Sequence, residues 1–354
     1  MSDAQEETKF PIREAREMVK DLMPPNAFIY WVDFLFHITL GWSSFFFCFK
    51  SELFSLSQWV CFFISTFAFF RSAIFIHELT HLRKGSFLLF RVVWNFLCGF
   101  PLMIPSFLYQ GVHNDHHNIN LYGTNNDGEY FSFVHEGRFK IILFVLVSLC
   151  VPFFFFVRFV FLTPLSYCHE SIRSLVLEKI SSFSIDLSYK RTRSSLNSIP
   201  TWQAQEVAAC FYGWIFLLLI MQRVLPYNVL GLWFTTFGAV FFVNSLRTLA
   251  AHCYRYPGNK TLDLSEQLLD SVNTPNSFLG VLWAPVGLRF HATHHLIPEM
   301  PYHSLGKAHK MLLEGFSKKN LYIQANSGGL WFTLARLWRE SKNLVLFMLF
   351  VGYF

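Results

Sequence analysis

Nine of the fourteen histidines in this 354-residue chain fall into four places: His77 and His81 in HELTH, His113, His116 and His117 in HNDHH, His252 in AAHCY, and His291, His294 and His295 in HATHH. Imidazole is the commonest side-chain metal ligand, and helical residues i and i+4 share a face about 5–6 Å apart, close enough for both rings of HELTH to reach one ion. Adjacent helical residues point about 100° apart, so each doublet, His116–His117 and His294–His295, can serve two ions. At about four to six ligands per ion, two metals absorb most of the clustered imidazoles. HELTH also contains an HExxH string, which alone suggests a zinc hydrolase with Glu78 as base. Such a site needs three protein ligands and an open position and leaves the other clustered histidines without work. Imidazole suits Zn, Cu, Fe and Ni alike; an oxygen-activating pair of irons would use them. Scattered histidines such as His37, His135 and His169 read as hydrogen-bonded packing residues.

The elements that must position these rings are membrane elements. The chain is 53% apolar with 44 Phe and only 15% charged residues, which fits poorly with a soluble domain. About 20 consecutive apolar residues cross a bilayer, and such runs occupy 27–48, 53–75, 207–225 and 227–248. The first 26 residues are polar and mixed in charge, without the basic start and apolar core of a cleaved signal peptide. Seven cysteines lie scattered with no CxxC pair, which argues against a disulfide framework or a thiolate metal site. The net charge of +6 sits in loops beside the apolar runs, where the positive-inside bias places it, so no nucleic-acid partner is implied.

With no repeat, linker or composition break, one domain over 1–354 is expected. Its fold class is an all-α integral membrane protein with about four transmembrane helices and a cytoplasmic helical cap holding a histidine-ligated dimetal site. The histidine boxes can share one site only if the chain between them crosses an even number of times. The runs 207–225 and 227–248 form a hairpin turned at Pro226, Tyr227 and Asn228. The remaining apolar segment, 139–163, carries Pro152, which interrupts a helix, and Arg158, which is costly at mid-bilayer. It is therefore read as interfacial or re-entrant. The basic stretch 166–206 (Arg173, Lys179, Lys190, Arg191, Arg193) then lies inside. The expected order is a cytoplasmic segment (1–26), a first transmembrane hairpin (27–75), boxes one and two (77–117) joined by membrane-hugging helices, a second transmembrane hairpin (207–248) and a third-box region (252–320). The apolar tail 343–354 is expected to dip into the interface.

The order HxxxH, HxxHH about 30 residues on, and HxxHH near the end, with spans between, resembles the membrane fatty acid desaturase and hydroxylase superfamily over roughly 50–315. LIPEMPYHSL, with Pro298 and Pro301, is similar to the turn that follows box three in that family. NLYGTNNDGEY resembles its Asp-Pro-Glu-type segment, with Gly128 where proline is usual. NSLRTLAAHCYRY and SYKRTR look like a bacterial branch. Where acyl-CoA-type members place an Asn one turn before the isolated histidine, this chain has Thr248, with Asn244 a turn further back. The resemblance implies two non-haem irons ligated by the eight boxed histidines and the isolated His252. The acidic residues Glu78, Asp115, Asp127 and Glu129 are candidates to orient imidazole N–H groups, with a helix-cap or turn role as the alternative for Asp127.

An unactivated C–H bond offers no handle for acid or base catalysis, so an oxidised metal must break it. The resemblance implies dioxygen as co-substrate and a fatty acyl chain as substrate. The leading expectation is desaturation; hydroxylation, ketolation or oxidative decarboxylation to a 1-alkene are alternatives on the same scaffold. A histidine-rich metal transporter or sensor is the reading from another class, but transporters place ionisable ligands at mid-membrane, whereas these boxes adjoin span ends. The sequence carries no haem-binding HPGG, ferredoxin cysteine set or GxGxxG loop, so electrons are expected from a separate carrier of ferredoxin or cytochrome b5 type. The basic face including Lys190, Arg191, Arg193, Lys318 and Lys319 is available for docking, for a headgroup, or simply for anchoring. A bacterial inner membrane with the site facing the cytoplasm is the expected location.

Overall fold

A computed structural model describes residues 9–277, 279–316 and 321–342. Among them the secondary structure is helical, and extended pairing is confined to isolated bridges such as His252 with Ser271 and Asn273 with Phe290. Five helices are long and apolar enough to cross a membrane: Ala27–Lys50, Leu56–His81, Val151–Cys168, Trp202–Met221 and Asn228–Ala251. The first two and last two cover the apolar runs at 27–48, 53–75, 207–225 and 227–248. Val151–Cys168, inside the segment read as interfacial or re-entrant, qualifies by length and composition.

Local chemistry sets the ends of these helices. Asn26 accepts from the backbone N–H groups of Phe28 and Ile29, and Ser55 from that of Gln58, so both helices of the first hairpin start on a side-chain cap. The hairpin closes tightly because Gly41 lets the Phe69 ring lie against the backbone, where a Cβ would come within 2.9 Å. Leu56–His81 ends in box one. There Arg91, from the short helix Leu88–Trp94, donates to the carbonyls of Leu79 (2.6 Å) and Leu82 (2.9 Å), groups that the helix end leaves unpaired.

Pro152 does not kink a helix, because it sits in the first turn of a new one, where a missing N–H costs nothing. The break falls just before it, after Arg138–Ser148. Along the preceding leg Ile141 clusters with Leu249, the Ser148 and Ser245 hydroxyls lie 3.3 Å apart, and Phe153 packs on Phe234. The chain therefore descends beside Asn228–Ala251. It then runs through a π-helical turn at Arg158–Leu162, where Val160 meets Gly213 and Phe161 meets Trp214, to Tyr167, which donates to Glu206 near the start of Trp202–Met221.

The cap is closed from behind by the N-terminal segment. Helix Ile12–Val19 packs in one apolar cluster with box-three residues and with helix Tyr302–Gly315, and Phe10 N–H donates to Ser265 Oγ. Of the basic residues, Arg191 is not on a docking face: it is buried and donates to the carbonyls of Phe107, Ser181 and Gln110. Lys318, Lys319 and the tail 343–354 lie outside the described residues.

Candidate metal centre

The ends of two spans and two short helices meet at one place. Leu56–His81 supplies His77 and His81 in its last turns, and Val112–His116 with the next residue supplies His113, His116 and His117. His252 follows the end of Asn228–Ala251 in extended conformation, and His291–Leu296 supplies the remainder.

The nine rings form two groups, His77, His81, His113, His117 and His294, and His116, His252, His291 and His295. Within each group the available ligand atoms lie within 4.8 Å of one another. Both doublets are split, His116 from His117 and His294 from His295, as the angle between adjacent helical residues requires.

Proton positions show what these groups can hold. His113 Nδ1 donates to Glu129 (2.9 Å) and His116 Nδ1 to Asp127 (2.9 Å), because an ionised carboxylate only accepts. His252 Nδ1 donates to the Tyr122 hydroxyl (2.9 Å), whose own proton goes to Asp270 (3.0 Å). His116 and His252 thus each carry their proton on Nδ1, and their bare Nε2 lone pairs face each other at 3.2 Å. Two lone pairs so placed repel unless a cation lies between them. Facing Nε2 pairs recur at 2.9 Å for His81 with His113 and for His252 with His291, and at 3.1 Å for His117 with His294. Metal–imidazole bonds of about 2.1 Å put neighbouring ligands about 3.0 Å and opposite ligands about 4.2 Å apart. The donor sets therefore fit one ion each.

Electrostatics keeps most of these rings in the neutral, ligating form, His116 being the exception. Burial, then neighbouring imidazoles, hold His117, His291, His294 and His295 well below the ordinary histidine range, and burial pushes His252 down to about 4. Burial also opposes charge on His116, but the Asp127 carboxylate beside it raises that ring overall. Burial lifts Glu129 to about 7, so the carboxylate that accepts from His113 and Tyr109 is the form present above that pH.

Beneath the histidines opens a cavity of about 1110 Å³. Its lining is largely aromatic and aliphatic, including Phe70, Leu102, Phe154, Phe237 and Phe241, and it also takes in His77, Tyr109, Glu129, Arg247 and Thr248 and the charged side chains of Glu136, Lys140 and Asp186.

The family model for fatty acid desaturase matches residues 53–327. The chain belongs to this family. As a member it is an oxidoreductase of the desaturase and hydroxylase type, embedded in a membrane, with a histidine metal site. A ceramide hydroxylase of Caulobacter vibrioides is 38% identical over 333 residues, covering 94% of each chain. No solved structure matches.

Of the four acidic residues offered as orienting partners, Glu129 and Asp127 meet imidazoles. Glu78 instead accepts from the Tyr30 hydroxyl (2.5 Å) and the Tyr302 backbone, and its nearest approach to His77 Nδ1, 3.7 Å, is too long for a hydrogen bond. Asp115 accepts from Tyr189 (2.9 Å). Sequence reasoning missed Asp270 and Tyr122, which orient His252. Asp270 belongs to a short helix 18 residues downstream, with no box around it to mark it.

Proposed function

We propose that this chain hydroxylates the hydrocarbon portion of a ceramide-like lipid at a pair of irons held by the nine histidines, with dioxygen and a separate ferredoxin-type or cytochrome b5-type electron donor. The near full-length relation to a ceramide hydroxylase carries the choice of reaction. The split of nine imidazoles into groups of five and four supports the two-metal assignment. Two irons so held would supply, with dioxygen, the oxidising power that an unactivated C–H bond demands. In the balance, one oxygen atom enters the C–H bond and the other leaves as water, with two electrons and two protons consumed.

The chain's own residues do the rest. Glu129, Asp127 and the Tyr122–Asp270 pair hold protons on Nδ1 and so present Nε2 lone pairs inward. The aromatic walls of the cavity exclude water and hold the alkyl chain straight beneath His77. Tyr109, which donates to Glu129 (3.0 Å), fixes the carboxylate that faces His113. Desaturation is the second reading, favoured by the family description, since it needs the same centre and differs only in the fate of the second hydrogen.

Mass spectrometry of lipids from cells supplied with ceramide and isotopically labelled dioxygen separates the two. The expected product carries one labelled oxygen atom. A product lacking two hydrogens and containing no label would overturn hydroxylation in favour of desaturation.

The same reading places the histidines on the cytoplasmic side of a bacterial inner membrane and makes 138–168 a hairpin that enters and leaves on that side, consistent with the contacts of Ile141 at Leu249 and Tyr167 at Glu206. A reporter tag inserted near Ser188 should be cytoplasmic; a periplasmic signal there contradicts this topology.

A further inference from the structure

Three arginines lie within the five apolar helices, and only two hydrogen-bond a carboxylate among the described residues. Arg71 donates to Asp33 at 2.7 and 2.5 Å, and Arg158 to Glu206 at 2.6 Å. Among the described residues Arg247 hydrogen-bonds within its own helix, from Nε to Asn244 Oδ1 (3.2 Å) and from Nη2 to Thr248 Oγ1 (2.8 Å). Glu129 shares the cavity and is an electrostatic partner of Arg247, but the hydrogen bonds it accepts come from His113 and Tyr109.

Guanidinium has five N–H donors, so most of the donor capacity of Arg247 is left for the cavity that it lines. Its Cα lies five residues before His252, about 7.5 Å along the helix axis, with Phe237 and Phe241 deeper on the same wall. Guanidinium N–H donors left unfilled in such apolar surroundings are costly, and an oxygen acceptor brought by the occupant relieves that cost. The polar group of the lipid therefore belongs beside the histidines, and the apolar depth below takes its chain.

We propose that Arg247 is a specificity-determining residue that binds an oxygen acceptor in the linkage region of the lipid, the amide carbonyl in a ceramide-like substrate, and thereby confines attack to a carbon within a few bonds of that group. This rests on the hydroxylase reading and adds where on the chain the oxygen enters.

The test uses the full-length, iron-loaded enzyme in phospholipid vesicles with a chemical reductant and ceramide, comparing wild type, Arg247→Lys and Arg247→Gln. A charge-assisted hydrogen bond corresponds to about ten- to hundredfold in affinity. Arg247→Gln should raise KM by that factor and spread hydroxylation over several carbons, while Arg247→Lys keeps a single position at an intermediate KM. A ceramide analogue with methylene in place of the amide carbonyl should bind the wild type weakly and show no further loss with Arg247→Gln. An unchanged KM and an unchanged single position in Arg247→Gln overturn the proposal, as do fully additive losses with the analogue. Binding is also read by displacement of a fluorescent ceramide, which is independent of turnover. If the wild type binds ceramide through Arg247 but forms no alcohol, the hydroxylase reading fails and the contact stands; if it forms alcohol irrespective of Arg247, the contact fails alone.

Discussion

Replacing His294 by alanine is expected to lower turnover by at least about a thousandfold and to reduce bound iron, while the protein still inserts in the membrane. The magnitude follows from losing a ligand of a centre that alone can break an unactivated C–H bond. His294 belongs to the group of five and faces His117 Nε2 at 3.1 Å, so that group retains four imidazoles but loses its one member from box three. Asp270→Asn is a graded comparison. It weakens the hydrogen bond that fixes Tyr122 and, through it, the Nδ1 proton of His252, and changes of this kind typically cost about ten- to hundredfold in metal affinity. Iron content and product formation, measured on the same preparations, check both. A His294→Ala protein with normal iron and normal turnover removes that residue from the centre.

The second large effect concerns stability. Glu206 is fully buried between Arg158 (2.6 Å) and Arg173 (2.7 Å) and also accepts from Tyr167 (3.0 Å). Glu206→Ala strands a buried guanidinium, which costs about 3–5 kcal/mol. The expected result is a sharp fall in folded yield and in thermal half-life in detergent. The paired replacement Arg158→Met with Glu206→Leu should recover part of it, because the more deeply buried guanidinium goes with its partner and only the less buried Arg173 is left without a carboxylate. If Glu206→Ala alone is as stable as the parent, the cluster has no structural weight.

What was legible in the sequence differs between these two places. The histidines announced themselves because helical spacing converts directly into a shared face, and the doublets could be split between two ions from geometry alone. Asp270 and Tyr122 could not be read in that way, since each reaches His252 from a separate loop or helix and only folding brings them together. Glu206 looked like the polar flank of an apolar run beginning at 207. In the structure the helix starts at Trp202, which takes Glu206 inside to meet Arg158. The basic loop was misread at Arg191 for the same reason: a formal charge does not say whether its donors face water or backbone carbonyls. Arg158 marked its segment as unusual, but its compensation came from a helix about fifty residues away.

The packing of Ile12–Val19 against Tyr302–Gly315 and the box-three cluster bears on the order of manufacture. A segment made before any of the five apolar helices is thus a wall of the compartment built from a segment made after all of them. Box one is made while its partners at 291–295 are still unmade, so the nascent chain holds an incomplete set of imidazoles until box three follows. The two imidazole groups can close only once translation has passed His295, and any metal that needs both full sets is deferred until then.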